Sequence, residues 1–108
     1  MQNEAILNQL GYAPNDALLA QIERIAKNTA GYEKIIKHIM DLHEALKVNG
    51  AYVAMSNSED VFKIKLDSPS TQMLHEAIEK IERFRSRYKV ELDKVEGKPT
   101  YYIVGFRA

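Results

Sequence analysis

The chain has 108 residues, no Cys and no Trp, with 45% hydrophobic and 28% charged residues. That length suits one domain with a core of its own, and so large an apolar share excludes an unstructured chain. Fifteen basic residues balance fifteen acidic ones, so the chain lacks the broad positive field that draws proteins to nucleic acid or anionic lipid.

Asn3 to Leu10 reads as a short helix, with Asn3 placed to cap its free N–H groups, Glu4 at its positive end and Gly11 as a left-handed stop. A second helix is predicted from about Asn15 to Ala30. Its stripe is Leu18, Leu19, Ile22, Ile25 and Ala26, with Glu23, Arg24 and Lys27 turned away. A third runs from Tyr32 to Val48 and carries Ile35, Ile36, Ile39, Leu42 and Leu46. The two stripes are offset by roughly 110°, so a single straight helix would present two apolar faces. Gly31, at the junction, predicts a break.

After Asn49-Gly50 the period changes from helical to alternating. Ala51 to Met55 is a predicted strand. In Val61 to Leu66, Phe62, Ile64 and Leu66 point one way while Lys63 and Lys65 point the other. The polar run Ser56 to Asp60 joins the two as a hairpin. Ser68-Pro69 predicts a helix start, Ser68 as cap and Pro69 as first helical residue, for a helix to Arg87 that buries Met73, Leu74, Ala77, Ile81 and Phe84. Tyr88 to Asp93 and Thr100 to Phe106 are two further strands, turned through Glu96-Gly97-Lys98-Pro99, with Gly105 marking a bulge.

The segment Leu42-His43-Glu44-Ala45 recurs as Leu74-His75-Glu76-Ala77, each copy on a helix followed by two strands. The expected fold is therefore α+β in one domain, 1–108. An N-terminal helical extension (1–30) precedes an αββαββ unit (31–108), whose four-stranded antiparallel-rich sheet has helices packed on one face. The same element order arises when the first strand of a ferredoxin-like unit is moved to the chain end. In the last strand Tyr101 and Ile103 alternate with Tyr102, Val104 and Phe106, so both faces are apolar and the second needs a cover. The N-terminal helices or a second copy of the chain would supply it.

Few residues point to chemistry. His75-Glu76-Ala77-Ile78-Glu79 begins like a zinc-protease helix but has Glu79 where the second His belongs, which leaves a solvated charged face. His38 and His43 lie roughly 140° apart around one helix and cannot chelate a shared ion. His38 with Asp41 is a candidate acid–base pair, and His43 reads as a half-buried, hydrogen-bonded histidine. Neither a phosphate-cradling glycine loop nor a nucleophile elbow occurs, and the expectation is of no bound cofactor and no metal.

The longest apolar runs, Ala51 to Met55 and Tyr101 to Val104, fall far short of the ~20 residues of a membrane span. The start lacks the basic segment of a secretory leader, and the absence of Cys favours a reducing, cytoplasmic setting. From Lys80 to Lys89, the cations Lys80, Arg83, Arg85, Arg87 and Lys89 oppose a single Glu82. They complement the negative end of the helix dipole. With Lys63, Lys65 and a stacking Tyr52 or Tyr101 they would also suit single-stranded RNA, although the aromatic–glycine signature of such domains is missing.

Three functional classes follow in order. The first is a small interaction or regulatory module that self-associates or binds another protein, with Tyr52, Tyr101 and Ile103 as contact residues. The second is nucleic-acid binding through Arg83, Arg85, Arg87 and Lys89. The third is a small enzyme using His38, Asp41 or His43.

Overall fold

The helical N-terminal third breaks where the offset between its apolar stripes requires. In the computed structural model, which describes residues 2–108, helix α1 spans Asn3–Gln9, α2 Asp16–Asn28 and α3 Tyr32–Leu46. Gly31 turns the chain between α2 and α3 in left-handed backbone, with φ 63°. Asn15 caps α2, its side chain accepting from the Leu18 N–H at 2.8 Å. A 3-10 turn at Lys47–Asn49 replaces the last residues expected of α3.

Two expected caps are corrected. Asn3 is the first helical residue of α1, which has no side-chain cap. Helix α4 spans Thr71–Tyr88 and is capped by Ser70, which accepts from the Met73 N–H at 3.2 Å. Ser68 instead donates its hydroxyl to the Asn49 carbonyl, and Pro69 lies against Gly50. Both residues thus tie the approach of α4 to the end of α3. The two copies of the Leu-His-Glu-Ala segment also differ in environment, since His43 is buried and Ala45 exposed whereas His75 is exposed and Ala77 buried. Their matching letters carry no structural equivalence.

The strands are β1 Ala51–Met55, β2 Phe62–Leu66, β3 Val90–Lys94 and β4 Thr100–Phe106, all antiparallel in the order β1-β2-β4-β3. The last strand lies inside the sheet, between β2 and β3. Helix α4 continues through Tyr88, so β3 starts two residues later than its apolar pattern implied. Val53, Met55, Phe62, Ile64, Val90 and Ile103 are buried on one face, beneath α3 and α4.

A bulge in β4 decides which side chains reach that core. Leu92 pairs with Ile103 and Glu91 with Gly105, leaving Val104 without a partner. The extra residue shifts the alternation, so Ile103 and Phe106 both join the helix-side core instead of pointing oppositely. Beyond Tyr102 the β2 side of β4 has no strand beside it, and the α2–α3 junction takes that place. Ala30 forms a parallel bridge to Gly105, and the Phe106 N–H donates to the Ala30 carbonyl at 2.7 Å.

The N-terminal helices do not cover the second face of the sheet. Ile6 and Leu7 of α1 and Ile22 and Ile25 of α2 are buried in the same core as Ile39, Phe62 and Ile64. Gln9 donates to the Glu44 carboxylate at 3.2 Å, Gln21 to the Ser56 carbonyl at 3.0 Å, and Asn28 to the Asp60 carbonyl at 2.9 Å. These bonds seat α1 and α2 against α3 and the β1–β2 loop. Four fully buried aliphatic side chains contribute on the order of 6–12 kcal/mol, comparable with the whole stability of a domain this size. Helices α1 and α2 thus contribute side chains to the same core as the rest of the fold.

Gly105 has φ 152°, and a Cβ there would stand 2.6 Å from the Ala30 nitrogen. Gly97, with φ 74°, has open space around it. Gly105→Ala is expected to cost about 2–4 kcal/mol, combining backbone strain with overpacking, and Gly97→Ala only about 1 kcal/mol; urea midpoints at unchanged m-value check both. Tyr32 stacks near Phe62 with ring centroids 6.3 Å apart, its hydroxyl buried without a hydrogen-bond partner and its pKa pushed up to about 12 by burial. Tyr32→Phe removes that unsatisfied group and is expected to raise stability by about 1 kcal/mol in the same denaturation experiment.

Candidate functional site

With all four helices on one side, the other face of the sheet stays open. Its side chains follow from the strand register. One row crosses Ala54, Lys63, Tyr102 and Asp93 on four successive strands, and the next crosses Tyr52, Lys65 and Thr100. The strict alternation of β1 and β2 places these residues opposite Val53, Ile64 and Leu66, which are buried. Lys63, Lys65 and Asp93 form no ion pair among the described residues, whereas Glu91 pairs with Arg107 at 2.8 Å.

Two loops rise beside the lysines and make the face concave. The β1–β2 loop is ordered by Ser56, only 3% exposed, whose hydroxyl accepts from the N–H groups of Ser58 and Glu59 at 3.3 Å each. The Ser58 hydroxyl lies 3.0 Å from that of Tyr102. From the β3–β4 turn comes Lys98, its N–H bonded to the Val95 carbonyl at 3.2 Å. The resulting concavity of about 300 Å³ includes Lys63, Lys65, Lys98, Ser58, Thr100 and Tyr102 in its lining. The neighbouring Ser58 and Ser56 hydroxyls hold the Tyr102 phenol below its usual pKa, with Lys98 adding to the effect against Glu59.

Of the three expected contact residues, only Tyr52 is on this face. Ile103 is 1% exposed in the core, and Tyr101 packs against that core with the Lys94 ammonium 5.9 Å from its ring centre. The outward apolar surface of β4 passes instead to Tyr102. Lys63 and Lys65 were recognisable from their alternation with Phe62, Ile64 and Leu66. Thr100, Asp93 and Lys98 carried no local signal, because only the pairing of distant strands assembles them.

The basic end of α4 does not form one patch. Arg83 and Arg87, one turn apart, line a groove between α3 and α4 with His38, Asp41 and Tyr88. Arg85, turned roughly 200° from Arg83 around the helix, pairs with Glu82. Lys89 sits beyond the helix in left-handed backbone with φ 54°. His38 stacks on Tyr88 at 3.7 Å between ring centroids, and Asp41 pairs with Lys37 at 3.6 Å, so the expected His38–Asp41 pair is not formed. His75 is exposed on α4. Among the described residues no cluster of His, Asp or Glu converges to hold a metal ion, and no helix is long and apolar enough to cross a membrane.

His43 is not part of the α3–α4 groove; it is buried, 3% exposed, beside edge strand β1. Its Nδ1 accepts the Val53 N–H at 3.0 Å. Tyr12 does the same service for the next outward amide, its hydroxyl accepting from the Met55 N–H at 3.1 Å. An Nδ1 that accepts must be unprotonated, so His43 is held as the neutral tautomer. Burial, then the nearby Lys47, lower its pKa below the ordinary value. His38 and His43 therefore share no pocket, which removes the arrangement an enzyme using both would need. Compared with known protein families, curated proteins and solved structures, the chain matches none.

A lowered histidine pKa in the folded state means that the unfolded chain binds the proton first. The stability contributed by His43 is full above about pH 6.5 and falls as the pH drops toward its lower folded pKa. His43→Asn retains an acceptor near Nδ1 but cannot titrate. The difference in stability between wild type and this variant is expected to shrink from pH 7 toward about pH 5, as followed by urea unfolding at each pH.

Proposed function

We propose that the protein is a small cytoplasmic interaction module, without catalytic activity of its own, that pairs with a second copy through the open sheet face. The row Lys63–Tyr102–Asp93 carries this reading. Consider two such faces stacked about 10 Å apart, the usual sheet-to-sheet distance, around a twofold axis parallel to β4. That operation sends β2 of one copy over β3 of the other. Lys63 then meets the partner copy's carboxylate at position 93, Tyr102 meets its own equivalent, and each ion pair occurs twice.

The alternative axis, perpendicular to the strands, stacks lysine on lysine and is rejected by like-charge repulsion. Complementary charges fix the register, and burial of Tyr52, Tyr102 and the lysine stems supplies the attraction. The half-polar character of this face suits a reversible pair more than a permanent one. The absence of Cys is consistent with a reducing compartment.

Light scattering coupled to gel filtration tests the pairing. The wild type is expected to run as a dimer at about 50 μM and as a monomer on strong dilution. Lys63→Glu and Asp93→Lys should each shift the equilibrium to monomer by repulsion, and the double exchange should restore the dimer. A wild type that stays monomeric, or a double exchange no better than either single variant, overturns the proposal.

A further inference from the structure

The concavity beside the dimer-forming row has a chemistry of its own. Three lysines, Lys63, Lys65 and Lys98, line it from two separate segments of a chain whose net charge is zero. No carboxylate lines it, and none of the three lysines forms an ion pair among the described residues. Lys63 and Lys65 stand two residues apart on one strand, about 6.5–7 Å between Cα atoms, so their charges repel unless an anion lies between them.

Polar groups complete the lining. The Ser58 and Tyr102 hydroxyls are already held 3.0 Å apart, and Ser56 fixes the loop that carries Ser58. Thr100, 8% exposed, lines the concavity and its side chain forms no hydrogen bond within the described residues. That hydroxyl is open to the concavity and free to donate there, beside three lysines without ion pairs.

We infer that this concavity is an oxyanion site for the phosphate group of a small phosphomonoester. Three point charges from Lys, with the hydroxyls of Ser58, Thr100 and Tyr102 beside them, suit a tetrahedral dianion that accepts several hydrogen bonds. The volume of about 300 Å³ lies at the small end for a ligand pocket and fits a compact molecule around that phosphate. A polynucleotide needs a track of cations, and here Asp93 ends the positive region one strand beyond Tyr102. The site does not depend on self-association, although a bound phosphate and a partner copy would compete for Lys63 and Tyr102.

Two-dimensional amide NMR with phenyl phosphate as probe, at constant ionic strength maintained with sodium chloride, tests the site. Saturable shifts are expected at Ser58, Lys65, Thr100 and Tyr102, with a dissociation constant of about 1 mM or lower. Lys65→Gln combined with Lys98→Gln should weaken binding at least about tenfold, while Arg83→Gln combined with Arg87→Gln leaves it unchanged. Neither pair of changes touches the Lys63–Asp93 row, so light scattering on the same samples separates failure of this site from failure of the dimer. Absence of saturation by about 10 mM, or binding insensitive to the Lys65 and Lys98 changes, overturns the proposal. A single-stranded oligonucleotide that binds the same residues far more tightly, with a steep salt dependence, overturns it in favour of nucleic-acid recognition.

Discussion

The hydrogen bond from Phe106 to Ala30 is the hinge of this architecture. It exists because β2 stops short of the far half of β4 and leaves backbone groups there that need partners. The α2–α3 junction fills the vacancy, and the close approach is possible only because residue 105 has no side chain. Docking at this point commits α2 and α3 to the same side of the sheet. Helix α1 then follows, and the large aliphatic side chains of α1 and α2 join that one core.

The open face is the other half of the same constraint. A fold that placed α1 and α2 across the second face would have buried Tyr52 and Tyr102 beneath them. Instead, the β4 bulge brings Phe106 round to the helices, so the last strand is less two-faced than its letters imply. What remains outside is a mixed surface, with aromatic rings and lysine stems at the centre and opposite charges toward its two sides. Such a surface tolerates water when alone and still carries enough pattern to select a partner.

Much of the architecture was legible from residue order. The break at Gly31, the alternation of Lys63 and Lys65 with apolar neighbours, and the turn at Gly97 each express a local rule of backbone geometry. Ser68 and Ser70 show where local rules lose resolution, since both precede the helix and only the contact of Pro69 with Gly50 selects between them. The direction of Ile103 was misjudged for a related reason. Alternation identifies two faces of a strand but not which of them the helices take, and the bulge alters the count after Val104. The candidate site was half visible: its two strand lysines follow from pattern, while Lys98, Thr100 and Asp93 are brought in by strand pairing across dozens of residues.

The imidazole of His43 and the phenol of Tyr12 have a consequence for how the sheet ends. They occupy the outward amides of Val53 and Met55, so that margin offers fewer donors for a foreign strand to hold. The opposite margin, β3, retains its unpaired amides and is protected only by shortness and by Glu91, Asp93 and Lys94. The two margins are therefore unequal templates. Two copies joined along β3 would expose β1 borders whose Val53 and Met55 amides are already taken, which disfavours further growth of a ribbon.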